Sequence, residues 1–335
     1  MWGVDAAEIP GAGRSAYELL DSLGTADGVR ALLVMGSNPV VSAPRSEAIE
    51  KRLASLDFLA VVDPFLSETA RCGDVVLPST QWAEEEETMT NLEGRVLLRR
   101  RAVNPPDGVR TDTEIIVGLA ERLGRGALFP TAEPAAIFDE LRRASAGGPA
   151  DYSGITYERI AAGDGVFWPC PSERHPGTPR MFLDRFATPD GRARFHVVAY
   201  RPAAEEPDTE YPMPLTTGRV MAQYQSGSQT RRVEELNVEH PESFVELHPQ
   251  IARVFGIDEG KLVAITSRRG RAVARARLTA DIRHDTVFMP FHWAGEGRAN
   301  LPHQPGARPD VANARVQDVR GPYRAHPLAE TPFSR

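Results

Sequence analysis

The stretch Thr216-Thr217-Gly218-Arg219, followed by Gln223-Tyr224-Gln225-Ser226-Gly227-Ser228-Gln229-Thr230-Arg231-Arg232, packs hydroxyls, amides, glycines and arginines into one short segment with too few carbons for a core. Glycines let backbone N–H groups approach a ligand, while hydroxyls and arginine suit phosphate or a polar heterocycle. The competing reading is an ordinary solvated loop. Asp63 closes the apolar run Phe58 to Val62. A carboxylate at the end of a buried parallel strand can accept paired hydrogen bonds from a ribose or from the N1 and N2 donors of guanine, or it can cap its own loop. The residues alone leave both open. Asp112 stands in the first turn of a helix, where the macrodipole favours an acid with or without a ligand.

Other chemistries find little support. There is no Gly-x-x-x-x-Gly-Lys-[Ser/Thr] phosphate loop, no Gly-x-Ser-x-Gly elbow and no His-Glu-x-x-His. Among the eight histidines, His240 and His248, and His284 and His292, are the nearest pairs, each interrupted by proline. A metal site on a helix is therefore not expected, and these rings read as surface or hydrogen-bonded groups. Cys72 and Cys170, the two cysteines, have no adjacent histidine and read as inert thiols; two are too few for a disulfide scaffold or a cluster held by four cysteines. Arg99-Arg100-Arg101 and Arg268-Arg269-Arg271 lack interleaved aromatics and read as solvated or ion-paired, as does the acidic run Glu84 to Glu87.

The elements that would position these groups follow from the apolar pattern. Val29 to Met35, Phe58 to Val62 and Asp74 to Leu77 read as strands, separated by a helix over 45–56 that aligns Ile49, Leu53 and Leu56. Such alternation implies a parallel sheet covered on both faces, with ligands collecting at the carboxyl ends of the strands, where Asn38 and Asp63 fall. Thr111 and Glu114 form a capping box for a helix whose buried face is Ile115, Leu119 and Leu123, ended by Gly124. Residues 145–215, rich in Gly and Pro, read as irregular. Beyond Leu215 the pattern turns to β: a strand at 244–247, a helix at 249–255, a hairpin of 261–266 with 271–279, and a strand at 287–290. Ala272, Ala274, Ala276 and Leu278 alternate as one buried face, and the whole suggests a small barrel.

Composition agrees with a packed protein of about two domains: 335 residues, 41% hydrophobic and 25% charged. With 28 Gly and 28 Pro the chain is too punctuated for a long helical bundle. A net charge of −7 argues against nucleic acid as a partner. Neither a signal peptide nor a span-length apolar run is present, so the expectation is a cytoplasmic chain with no membrane partner.

The order of segments resembles the molybdopterin oxidoreductases that carry a bis(molybdopterin guanine dinucleotide) molybdenum centre. Gly36-Ser37-Asn38-Pro39, Val62-Asp63-Pro64-Phe65 with Glu68-Thr69-Ala70, Gly73 to Pro78, Asn91 to Arg95, Leu215 to Arg232, and Phe288-Met289-Pro290-Phe291-His292-Trp293 carry the resemblance. Within that family, Ala222 to Arg232 looks most like bacterial assimilatory nitrate reductases. The resemblance implies an α/β fold: a Rossmann-like dinucleotide-binding domain over 1–145, an irregular connection over 146–205 and a double-psi β-barrel over 206–335. It implies that Asn38, Asp63 and Asp112 hold one guanosine end, and that Thr217, Gly218, Arg219, Gln223, Gln225, Ser226, Phe291 and Asn300 line the pterin of the other dinucleotide. A family lysine that reaches the cofactor falls on Gln317, and another on Glu85, so contacts there depart from the pattern. The molybdenum ligand and an iron–sulfur cluster are expected in an N-terminal half outside this chain, which would be a fragment or half of a split enzyme, inactive alone. Its expected partners are that half and an electron-donor protein. No residue here is assigned as catalytic, and no metal ligand. The implied reaction is nitrate reduction to nitrite; alternatives are a formate dehydrogenase-type enzyme or a non-catalytic chain that binds cofactor or a partner.

Overall fold

The computed structural model describes Asp5, Ala7, residues 10–200 and 205–302, and the backbone of residues 311–318. The chain divides into a unit of Met1–Gly13 with Pro78–Ala199 and a second, barrel-bearing unit of Arg14–Leu77 with Tyr200–Arg335. The segment expected as one domain over 1–145 thus contributes to both.

The barrel-bearing unit begins with α1 (Ala16–Asp21), β1 (Ala31–Met35), α2 (Pro39–Ser42), α3 (Ser46–Leu53), β2 (Phe58–Val62) and β3 (Val75–Leu77). The three strands are parallel in the order β1-β2-β3, with Met35 opposite Val62 and Val62 opposite Leu77. Ile49 and Leu53 from α3 pack with Val34, Leu59 and Val61 into one core. The sequence pattern anticipates these strands, but two-faced coverage holds only for Leu59 to Val62 of β2. Leu33 in β1 and Val75 in β3 remain 43% and 40% exposed. β1 and β3 are the outer strands of a sheet of three, and outer strands have one neighbour to cover them.

The other unit contains β4 (Glu87–Thr90), β5 (Arg95–Arg99), α4 (Asp112–Arg122), α5 (Pro134–Ser145), α6 (Tyr157–Ala161) and β6 (Val166–Phe167). The strands form an antiparallel sheet in the order β4-β5-β6. Residues 145–215 are therefore not uniformly irregular: Ile155, Ile160, Val166 and Cys170 join Val96 and Phe138 in a core. The capping box at Thr111 and Glu114 forms as expected. Leu123 does not belong to the buried face; it is 76% exposed and Ala120 takes the inward position. The arginine and glutamate runs pair within this unit, Arg99 with Glu85 at 3.2 Å and with Glu87 at 2.6 Å.

The second unit resumes with β7 (Met213–Gly218), α7 (Glu234–Glu239), β8 (Phe244–Leu247), α8 (Pro249–Phe255), β9 (Leu262–Ser267), β10 (Gly270–Leu278), β11 (Val287–Pro290) and β12 (Val311–Asp318). They close into a barrel in the order β10-β8-β11-β7-β12-β9. β9 and β10 are the expected hairpin, while β8 with β10 and β7 with β11 pair in parallel. Leu215, Val245, Leu247, Val263, Ile265, Val287 and Met289 fill the interior without exposure; each such side chain contributes about 1.5–3 kcal/mol. Thr216 to Gly218, expected at the start of a loop, are the last residues of β7. β12 carries Gln317 opposite Ala264, but the Gln317 side chain lies outside the described residues.

Candidate cofactor-binding site

Two strand ends in the barrel-bearing unit meet at one place. The turn after β1 carries Asn38, and the loop after β2 carries Asp63 to Thr69. The loop leaving β7 reaches them through Ser228 and Arg231.

Asn38 is 6% exposed and its amide is fully occupied. Its Nδ2 donates to Glu68 Oε2 at 2.7 Å and to Ser228 Oγ at 3.0 Å, while Oδ1 accepts from the Thr69 N–H at 3.1 Å and the Thr69 hydroxyl at 2.8 Å. Ser228 in turn shares a hydrogen bond with Ser226, 2.9 Å between hydroxyls. Arg231, 9% exposed, donates to Glu68 Oε1 at 2.9 Å. Burial pushes the Glu68 carboxyl up, yet the Arg231 guanidinium, with the bonds from Arg231 and Asn38, outweighs it and holds the group below the usual carboxylate range. Glu68 and Arg231 are thus a part-buried ion pair joining the sheet's loop to the barrel's loop.

Asp63 is 8% exposed and accepts from the Phe65 N–H at 2.9 Å and from the Ser67 hydroxyl at 2.8 Å. Burial raises its carboxyl above the usual value despite both bonds. Each carboxylate oxygen retains a further lone pair, so the loop-capping geometry does not exhaust it as an acceptor. Asp112 stands at the first position of α4 in the other unit, exposed.

The residues expected to line the pterin fall into two groups. Gln223, 4% exposed, accepts from the Thr230 hydroxyl at 2.7 Å and donates to Asn237 at 3.1 Å; Asn300, 8% exposed, donates to the Val41 carbonyl at 2.8 Å. These amides hold the scaffold together. Among the described residues, the side chains of Thr217 and Gln225 engage no polar partner, and Arg219 has a single contact, its guanidinium 5.1 Å from the centre of the Phe291 ring. Gly218 is close-packed for a reason other than a ligand: a Cβ there would come 2.7 Å from Phe288 Cε2.

Beside these loops a cleft of about 580 Å³ is lined by Leu66, Ser67, Glu68, Arg71, Ser228 and Arg231, among others. Cys72 also faces it, its thiol pushed up by burial and by Glu50, which agrees with an inert thiol. Glu68, Ser228 and the Glu68–Arg231 pair were not identifiable as a unit from sequence, because 163 positions separate the charged partners. The contacts of His292 are likewise invisible in local spacing, which marks it only as a surface or hydrogen-bonded ring. An uncommitted hydroxyl, amide and guanidinium, set on a strand end beside an aromatic ring, match what a pterin and its pyrophosphate require: donors for anionic oxygens and in-plane partners for a polar heterocycle. The residues present fit such a group.

This arrangement, a parallel sheet whose strand ends meet a closed barrel, is shared with known proteins, and the chain belongs to the molybdopterin oxidoreductase family. Residues 12–122 match the family model described as Molybdopterin oxidoreductase, and residues 213–320 match the Molydopterin dinucleotide binding domain. Among curated relatives, the assimilatory nitrate reductase catalytic subunit of Bacillus subtilis is 45% identical over 90% of this chain and 42% of its own length. The F420-dependent formate dehydrogenase subunit alpha of Methanocaldococcus jannaschii is 45% identical over 85% of this chain and 41% of its own. The periplasmic nitrate reductase of Desulfovibrio desulfuricans is 32% identical over 87% of this chain and 41% of its own. The chain therefore spans less than half the length of these relatives. The solved structure of acetylene hydratase from Pelobacter acetylenicus superposes with a TM-score of 0.68 at 17% identity, covering 90% of this chain and 46% of the other, which supports the fold. Among the described residues no helix is long and apolar enough to cross a membrane.

Proposed function

We propose that this chain is the part of a bis(molybdopterin guanine dinucleotide) molybdenum enzyme that grips the dinucleotides, and that the complete enzyme reduces nitrate to nitrite. The observation that carries the reading is the 45% identity to the Bacillus subtilis assimilatory nitrate reductase catalytic subunit across 90% of this chain. The uncommitted Thr217, Arg219 and Gln225 support cofactor contact. The parallel pairs β7–β11 and β8–β10 inside a closed barrel support the double-psi type.

When bound, the molybdenum centre supplies the redox chemistry: nitrate gives up one oxygen atom, which leaves as water with two electrons and two protons consumed, and nitrite departs. This chain's own residues bind and orient. Arg219 and the β7 loop would hold the pterin and its phosphates, Asp63 would hold guanine or its ribose, and Asp112 is given the same role by the family resemblance alone. The polypeptide matching the remaining length of the relatives supplies the metal ligand and the iron–sulfur cluster, and an electron-donor protein feeds it.

Formate oxidation is the second reading, favoured by an equal 45% identity to the Methanocaldococcus jannaschii subunit. To separate them, this chain is co-produced with the polypeptide covering the remaining family length, molybdenum and pterin contents are measured, and the preparation is assayed with nitrate plus reduced viologen and with formate plus oxidised viologen. Nitrate turnover with stoichiometric molybdenum is expected. Formate turnover without nitrate turnover replaces the first reading with the second, and a preparation that never retains pterin overturns both.

A further inference from the structure

His292 is the residue through which the barrel shapes its candidate cofactor loop. β7 and β11 run parallel, so their carboxyl ends emerge side by side; the Phe291 N–H donates to the Gly218 carbonyl at 3.2 Å. The β7 end leads into the loop, and the β11 end delivers His292, which has no solvent exposure.

Both ring nitrogens are committed to loop backbone. The Val220 N–H donates to Nε2 at 3.0 Å, and Nδ1 lies 2.6 Å from the Gln225 carbonyl oxygen. A backbone N–H can only donate, so Nε2 must carry a lone pair; a carbonyl can only accept, so Nδ1 must carry the proton. The contacts therefore fix one tautomer of the neutral ring. A second proton would set an N–H against the Val220 N–H. The two anchored residues bracket the turn, and Gln225 takes a left-handed backbone, φ +49°, with Gly227 at φ +71° just beyond. A Cβ at Gly227 would collide with the His292 carbonyl oxygen.

We propose that His292, as the neutral Nδ1–H tautomer, is the positioning residue that clamps Val220 to Gln225 and so presents the Thr217 to Ser226 side chains to the cofactor. The clamp stands on hydrogen-bond geometry; that the loop meets a pterin rests on the function proposed above. Charge around the ring agrees. Burial first, then the Arg219 and Arg231 guanidiniums, hold the imidazolium off, against the Gln225 carbonyl that favours it.

The test uses the chain without cofactor. Nitrogen-15 labelling of histidine rings, with His292 assigned by its disappearance in His292→Gln, should show Nδ1 protonated and Nε2 unprotonated at pH 7. An Nε2–H tautomer or an imidazolium there overturns the proposal. His292→Leu should speed hydrogen exchange of the Val220 amide about tenfold, as expected for one lost backbone partner, while the Val263 amide in β9 keeps its protection. His292→Gln, which retains one acceptor and one donor, should recover part of that protection. Unchanged Val220 exchange in a folded His292→Leu variant overturns the clamp. Should the leucine variant fail to fold, the ring signals and the glutamine variant decide. Molybdopterin retention is then measured on the co-produced enzyme: faster Val220 exchange with normal retention refutes the loop's cofactor role and leaves the clamp standing.

Discussion

Two polar loops of the barrel-bearing unit use similar residue types to opposite ends. After β1 and β2, Asn38, Glu68 and Thr69 satisfy one another, Asp63 takes the Ser67 hydroxyl and keeps spare acceptor capacity, and Glu68 completes its shell with Arg231 from the barrel. At the end of β7 and in the loop beyond it, the Thr217 and Gln225 side chains engage no polar partner among the described residues, while the backbone between Val220 and Gln225 is held by His292. The first loop is a polar joint and the second a polar surface kept in shape. The difference shows that a cluster of amides and hydroxyls acquires its meaning from which partners remain unfilled, because a group already paired inside the protein would have to break that pair before meeting a ligand.

The comparison breaks most visibly if the joint is cut. Glu68→Leu leaves Arg231 buried with an uncompensated charge, and removal of one member of a buried pair costs on the order of 3–5 kcal/mol. Because the Glu68 side chain is 24% exposed, the expected loss is near the lower bound, about 3 kcal/mol. Glu68→Leu with Arg231→Met should recover most of it in urea unfolding. Equal losses in the single and double variants would show that the pair contributes packing and not charge compensation.

That joint also marks the limit of what the sequence discloses. Periodicity reveals β1, β2, β3, the β9–β10 hairpin and α8, because each is a local apolar pattern that its own neighbours in the chain enforce. It misses the β4-β5-β6 sheet, where Glu87-Thr88-Met89-Thr90 reads as polar and β6 is two residues long inside a Gly- and Pro-rich stretch. The site was legible in part: Asn38 and Asp63 are identified by standing at strand ends. The Asn38–Ser228 bond, the Glu68–Arg231 pair and the hold of His292 on Val220 and Gln225 were not, since a hydrogen bond across 190 positions leaves no trace in local spacing. From sequence Gly218 reads as a place where the backbone approaches a ligand, whereas the structure shows it crowded by Phe288 across the parallel β7–β11 pair.

Gly218 therefore sharpens the contrast between scaffold and ligand. Gly218→Val should destabilise by about 1–3 kcal/mol through overpacking against the Phe288 ring. Adding Phe288→Ala should relieve that clash and restore both stability and, in the complete enzyme, pterin content. If stability returns while pterin stays low, the backbone at Gly218 also faces the cofactor, and the position serves both regions.

A smaller effect separates the two carboxylates of the joint by sign. Glu68 is held below its ordinary range, so its contribution is present above the unfolded-state value of about 4.3 and fades as pH falls through the lowered folded value. Asp63 is held above its ordinary range, so its contribution is present below about 3.9 and fades as pH rises through the raised folded value. Measured from about pH 3 to 6, the stability of Glu68→Gln relative to the parent should fall with pH, and that of Asp63→Asn should rise. Parallel slopes would mean that the Asp63 hydrogen bonds outweigh its burial.

The smallest change in stability, and the most telling, concerns two arginines. Arg232 donates to the Ser228 carbonyl at 2.9 Å and the Leu66 carbonyl at 3.4 Å, and lies 5.0 Å from the centre of the Phe65 ring, so it stitches the joint. Arg219 has the Phe291 ring alone, an exposed contact worth about 0.5–1 kcal/mol. Arg219→Ala should therefore shift the unfolding midpoint less than Arg232→Ala does. In the complete enzyme the order should reverse for cofactor. A guanidinium that pairs with an anionic oxygen of the dinucleotide contributes roughly 1.5–3 kcal/mol, so Arg219→Ala should weaken retention by about ten- to a hundredfold. Arg219→Lys keeps the charge but not the planar fork, and should fall between. If Arg219→Ala holds its pterin as well as the parent does, the unfilled side chains after β7 face solvent, and the two loops differ only in how tightly each is packed.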